Sequence, residues 1–180
     1  WDTRYRLDRD WADHVQLTLS AQTSHAMDDG QTLLKTAFAN DGARTRTTQY
    51  DERAVQGSVQ FDKVLVMTPR WSQKLTYGVD LTRTDTSSLA GGSDPLPLAA
   101  FAPRRYFPDT RDSSQAVYLQ SEWISDQWSV TPGIRYDRFA LDVQSQAGYF
   151  PGIASAPGTS LSGTALTPKL GVMFRATPQW

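Results

Sequence analysis

The sequence predicts an all-β chain, an antiparallel transmembrane β-barrel segment of about seven strands joined by alternating short turns and long loops. Three observations predict it. The first is the hairpin between Gln115 and Val143. It sets Val117, Leu119 and Trp123 against Tyr118, Gln120 and Glu122, then Val130, Pro132, Ile134 and Tyr136 against Thr131, Gly133, Arg135 and Asp137. Both halves alternate with the period of two that belongs to strands. The second is the placing of tryptophans at the short connections, near Trp11, Trp71 and the Trp123/Trp128 pair, as in an interfacial aromatic girdle. The third is the connections themselves, tight at one end of the strands and rich in Gly, Pro and Ser at the other.

The elements follow in order. Thr3, Tyr5 and Leu7 alternate with Asp2, Arg4, Arg6 and Asp8, a strand that ends at the turn Arg9–Asp13. Val15, Leu17, Leu19 and Ala21 then face away from Gln16, Thr18, Ser20 and Gln22, and the strand runs on, polar on both faces, to His25. Membrane crossing needs only about 9–11 residues, so the surplus projects into water. Met27–Arg44 reads as a polar loop interrupted by Leu33 and Leu34. Val55, Gly57, Val59, Phe61 and Leu65 mark the next strand, with Thr45–Arg53 a polar extension above the membrane, and the turn Thr68–Ser72 follows. Leu75, Tyr77, Val79 and Leu81 return, and Ser88–Ser113 reads as the longest irregular stretch. After the central hairpin the alternation changes around Arg138 and Phe139, which indicates a bulge or an exit from the membrane. Gln144–Ser162 is a further loop. The last strand carries Leu166, Leu170, Val172 and Phe174 against Lys169, Gly171 and Met173, ahead of a turn at Thr177–Trp180.

Bulk properties narrow the class. The 180 residues suit one domain or part of a larger one. Eighteen basic against 19 acidic residues, a net charge of -1, give no preference for nucleic acid. The hydrophobic fraction of 39% and mean hydropathy of -0.49 are low for a soluble domain with a large core, but a barrel tolerates them because only alternate residues meet lipid. No apolar run approaches the roughly 20 residues of a membrane helix. Cysteine is absent, which excludes disulfide frameworks and cysteine zinc sites. The chain starts at Trp1 without a methionine or signal-like segment and reads as a piece of a longer precursor.

Several segments carry a family resemblance: Tyr106-Phe-Pro-Asp-Thr110, Tyr118-Leu-Gln-Ser-Glu-Trp123, Thr131-Pro-Gly-Ile-Arg-Tyr-Asp137, and Leu166-Thr-Pro-Lys-Leu-Gly171 leading to Phe174-Arg-Ala-Thr-Pro178. Together they resemble the TonB-dependent outer-membrane receptors, and within these the haem/haemoglobin branch related to the transferrin and lactoferrin receptors. The resemblance covers the whole chain, 1–180, as a middle portion of one 22-stranded barrel, with the plug domain and remaining strands outside it. It implies long extracellular loops, short periplasmic turns, and transport of haem iron as cargo rather than as a prosthetic group. The implied partners are haem or haemoglobin at the loops, the TonB complex through the plug, and the lipid bilayer. A ferric-siderophore receptor is the nearest alternative; a soluble β-sandwich that binds carbohydrate is the alternative from another class.

Four residues are candidates for touching a ligand. His25 offers imidazole, a common axial ligand to haem iron, but its parity with Val15, Leu17 and Leu19 points it outward. Arg104, Arg105 and Tyr106 sit together in the longest loop and could meet haem propionates or stack on the porphyrin. His14, at the short-turn end, reads as a structural polar residue. Asp62, Asp80, Glu122, Arg135, Asp137 and Lys169 share the polar face and read as a lumen wall that contacts a plug. No Ser/His/Asp constellation or metal-spaced histidine pair occurs, and with two histidines and no cysteine most nucleophilic and zinc chemistries lack their parts, so no enzymatic activity is expected.

Overall fold

A computed structural model describes residues 1–34, 42–93, 104–146, 148–149 and 160–176. Its seven strands are β1 (Asp2–Arg6), β2 (His14–Leu34), β3 (Gly42–Thr68), β4 (Trp71–Ser93), β5 (Asp109–Ile124), β6 (Trp128–Ser145) and β7 (Leu161–Phe174). They form one antiparallel sheet in sequence order, and the sheet is not closed. No helix of the described residues is long and apolar enough to cross a membrane.

Burial in this sheet is inverted relative to a soluble domain. The large apolar residues of one face stay exposed, Val79 at 40%, Val117 at 50% and Leu170 at 71%. The buried residues of the strands, Asp62, Ser88, Ala90, Ala116 and Ser129, all lie on the opposite, polar face. The hydrophobic effect leaves that much contiguous apolar surface bare only where a nonaqueous partner covers it.

The register fixes how that apolar belt runs. Leu17 is level with Val59, Val79, Val117, Tyr136 and Leu166 across β2 to β7. On β2 the belt spans Val15–Ala21, centred slightly above this line; on β7 it starts at the line with Leu166 and runs below it to Phe174. Its centre therefore drifts about five residues, or about 17 Å, while the sheet advances five strands, or about 24 Å. The slant of roughly 35° is the tilt at which strands of a membrane barrel cross the bilayer. A soluble sandwich has no reason to incline its apolar stripe in this way.

The tight turns close by local bonding. The Thr68 hydroxyl accepts from the Trp71 N–H at 3.1 Å across Pro69 and Arg70, where a missing amide hydrogen does no harm. The Ser125 N–H donates to the Trp128 carbonyl at 2.8 Å. Aromatics gather at this end: Trp11 meets Phe61 edge-on at 5.3 Å, Phe61 stacks on Tyr77 at 5.3 Å, and Trp128 lies 4.6 Å from Phe174. Asp13, before β2, accepts from Lys63 Nζ and the Val64 N–H, both at 2.8 Å. Those bonds, Lys63 first, hold its carboxyl below the ordinary carboxylate range. The clamp contributes stability at neutral pH that is lost as pH falls from about 4 through the lowered pKa. An Asp13→Asn variant is expected to flatten that acid limb in thermal unfolding scans; an unchanged limb would show that Asp13 does not carry it.

Several expectations from the sequence need correction. Met27–Arg44 is not mainly a loop: Met27 pairs with Gln49 and Leu33 with Ala43, so β2 and β3 climb together far beyond the belt. Above the bilayer both faces meet water, so alternation vanishes while the backbone ladder continues. The stretch Ser88–Ser113 likewise gives its first residues to β4 and its last to β5. Loop Gln144–Ser162 yields its ends to β6 and β7. No bulge occurs at Arg138 and Phe139, which pair in unbroken register with Gln115 and Ser114, so the change of pattern there marks an exit from the apolar belt. The register shifts instead between Asp109 and Thr110. The turn Thr177–Trp180 and the loop interiors 35–41, 94–103 and 150–159 lie outside the described residues.

Candidate functional site

Two polar regions occupy the face opposite the apolar belt, one level with the belt and one above it. At belt level Asp62 is 5% exposed and gathers cations from both sides. Arg4 Nη2 lies 3.5 Å from it and Lys74 Nζ 3.7 Å, and the Thr76 hydroxyl donates at 2.8 Å. Three strands further on, Arg135 bridges Asp80 at 2.6 Å and Asp137 at 2.9 Å, with its guanidinium 5.8 Å from the Tyr118 ring centre. The Tyr118 hydroxyl donates to Gln60 at 3.3 Å and so links the two groups. A hollow of about 550 Å³ lies among Gln60, Lys74, Asp80, Tyr118, Arg135 and Lys169. Glu122 stands apart, accepting from Ser129 at 3.3 Å. Opposite charges here satisfy one another, which suits a stable polar wall better than an ion-selective ring.

Above the belt, residues 104–107 fold back against the same face. Arg104 and Ala90 exchange backbone hydrogen bonds of 2.7 and 2.8 Å, which anchors the strap on β4. The Arg104 guanidinium then sits 5.2 Å from the centre of the Tyr106 ring. Phe107 meets Tyr50 at 6.2 Å, and the Tyr50 hydroxyl donates to Glu52 at 2.9 Å. Tyr106 is about half exposed and lies beside Thr48 and Arg46. Contact with Arg104, reinforced by Thr48, draws its phenol below the ordinary tyrosine value, whereas the Glu52 carboxylate pushes Tyr50 up. The ledge thus offers a guanidinium, a half-exposed phenol more acidic than an ordinary tyrosine's, and two further rings. Such a set holds a planar anion by charge-assisted bonding and stacking.

The structure brings Arg104 and Tyr106 together and separates the other two candidates from them. Arg105 turns away into an ion pair with Asp109, while its N–H donates to the Gly148 carbonyl at 2.7 Å. His25 lies on the outward face, its Nδ1 2.6 Å from Asp51, directly across from it on β3. A His25→Ala variant is therefore expected to bind ligand within about twofold of the parent, read by equilibrium titration; a large loss would place His25 in the site. Nothing in the residue pattern marks Arg46, Thr48, Tyr50 and Phe107 as neighbours of the strap. Tyr50 and Phe107 are distant in sequence, and the β3–β4 ladder together with the Arg104–Ala90 bridge brings them into contact.

The model of the TonB-dependent receptor-like β-barrel family matches the chain over residues 1–180. No curated protein matches it. The chain belongs to that family, whose barrels sit in the bacterial outer membrane and serve TonB-driven transport rather than enzymatic chemistry.

Proposed function

We propose that this TonB-dependent receptor barrel takes up haem iron, with the Arg104–Tyr106 ledge as part of the docking surface. The seven strands form an arc of the wall, since edge strands in lipid need partners. The belt residues meet the acyl chains, and the Asp62 and Arg135 networks form the lumen side against which a plug would seat. The loop ends of β3, β4 and β5 stand in the extracellular vestibule.

One observation carries the ligand assignment: Arg104 is held 5.2 Å from the centre of a half-exposed Tyr106 ring on the lumen side. Arg104 would pair with a propionate. The Tyr106 phenol, made more acidic by that same arginine, is of the kind that ligates haem iron. The Tyr106-Phe-Pro-Asp-Thr110 segment, which resembles the haem branch, contains half of this ledge. A haemoglobin-borne haem would arrive at the same loops, and TonB would supply the energy through the plug.

Titration of the purified complete receptor with haemin tests the reading. A saturable shift of the haem absorption band is expected, and Tyr106→Phe is expected to alter the bound spectrum. Tight binding of a ferric catecholate siderophore with no haemin signal would move the assignment to siderophore, because the same guanidinium and rings suit an anionic catecholate.

A further inference from the structure

The outward face carries a second charged group that neither the lumen wall nor the ledge uses. Along the slanted upper edge of the apolar belt, the first outward residues on β2 to β7 are Thr23, Arg53, Arg83, Gln115, Arg138 and Thr164. Three are arginines and none is acidic. Arg53, Arg83 and Arg138 are exposed. Asp85 organises the cluster just above: it accepts from Arg83 Nε at 3.0 Å and Arg111 Nε at 2.7 Å, and is the direct cross-strand neighbour of Arg53 and Arg111. Arg111, followed by Arg83, holds the Asp85 carboxyl below its ordinary range, so it stays ionised. Two guanidiniums thus hold one carboxylate, with Arg53 directly across the strand from it, beside an outer-face hollow of about 430 Å³ lined in part by Arg53, Asp85 and Arg111. The other carboxylates lining that hollow already have partners: Asp51 has His25 and Asp109 has Arg105.

We propose that Arg53, Arg83 and Arg111 form a binding site for the phosphate groups of a phosphorylated lipid headgroup in the outer leaflet. It rests on the placing of this sheet in a bilayer, not on what the receptor carries. A cluster facing lipid, immediately above the hydrocarbon, meets headgroups and not a soluble ligand in the lumen. Arginine suits this position because its apolar stem can lie along the belt while the planar head reaches upward, and its fork matches phosphate geometry. Asp85 occupies one edge of Arg83 and of Arg111 and fixes their orientation, leaving other N–H groups to donate outward.

The test uses the complete receptor, purified free of native lipid and mixed in detergent with bisphosphoryl lipid A or with the same lipid after removal of its phosphates. Lipid retained per receptor is read by native mass spectrometry. At least tenfold preferential retention of the phosphorylated form is expected, falling with added salt, and R53Q/R83Q/R111Q is expected to abolish the preference. R53K/R83K/R111K, which keeps charge and guards against misfolding of the glutamine variant, is expected to keep part of it. Equal retention of both lipids, or an unchanged preference in the glutamine variant, would overturn the proposal. So would displacement by millimolar inorganic phosphate, since the site would then be one for free anion. A wild-type receptor that retains neither lipid would overturn the proposal as well.

Discussion

Replacing Arg104 and Tyr106 together with alanine is expected to weaken haemin binding to the complete receptor by one to two orders of magnitude. Arg104 is anchored to Ala90 through its backbone, so truncating its side chain leaves the strap in place. What disappears is one charge-assisted contact and one ring. In a half-exposed site each is worth about 1–2 kcal/mol, and each 1.4 kcal/mol is a factor of about ten. The single variants separate the roles. Arg104→Ala is expected to act twice, by removing the propionate partner and by letting the Tyr106 phenol return toward its ordinary pKa. Binding by that variant should then strengthen as pH rises toward about 10, where the phenol ionises unaided. Tyr106→Phe should lose that pH response while keeping the stacking surface. Equilibrium titration at several pH values reads all three, and affinity that is insensitive to both residues would remove the ledge from the binding surface.

Gly78→Val is expected to cost the barrel about 1–3 kcal/mol of stability, the usual cost of forcing bulk into a filled position. A Cβ at Gly78 would lie 2.3 Å from the Val59 carbonyl oxygen and 2.6 Å from the Tyr118 hydroxyl. The first contact is with backbone and cannot swing away; the second would push Tyr118 off Gln60 and off the Arg135 guanidinium. Two effects should therefore appear together: a lower denaturant midpoint for unfolding from detergent or lipid, and loosening of the link between the Asp62 and Arg135 groups. Gly91→Ala, on the same strand with nothing within 4 Å of its added Cβ, is the control and is expected to stay close to the parent. Equal stability of Gly78→Val and the parent would mean that the sheet relaxes freely at that point.

The crossing strands were legible from their residues because a bilayer imposes the strongest alternation a sheet can carry. Val15, Leu17 and Leu19, or Val117 and Leu119, must all face acyl chains, so the period-two pattern, the tight turns and their tryptophans identified seven strands and the polarity of each face. Legibility stopped where the solvent became the same on both sides. The pairing of Asp28 with Thr48 and of Gln31 with Thr45 involves polar residues throughout, so the strands looked like loop although their ladders are continuous. The outward placing of His25 followed from parity alone, and Asp51, directly across from it on β3, shares that face. The ledge was half visible: Arg104 and Tyr106 stand out as basic and aromatic neighbours, but Tyr50 joins Phe107 only through the β3–β4 register and the Arg104–Ala90 bridge. The arginine tier was invisible without that register, because its members look level only along the slanted edge of the belt.

Growth tests the central claim most directly. The complete receptor would be expressed in an iron-starved, siderophore-deficient bacterium that has TonB and can degrade haem, with haemin or haemoglobin as the sole iron source. Growth that requires both the receptor and TonB, and that falls in the R104A/Y106A variant, is the expected result. Absence of growth, with the receptor present in the outer membrane, would contradict haem transport.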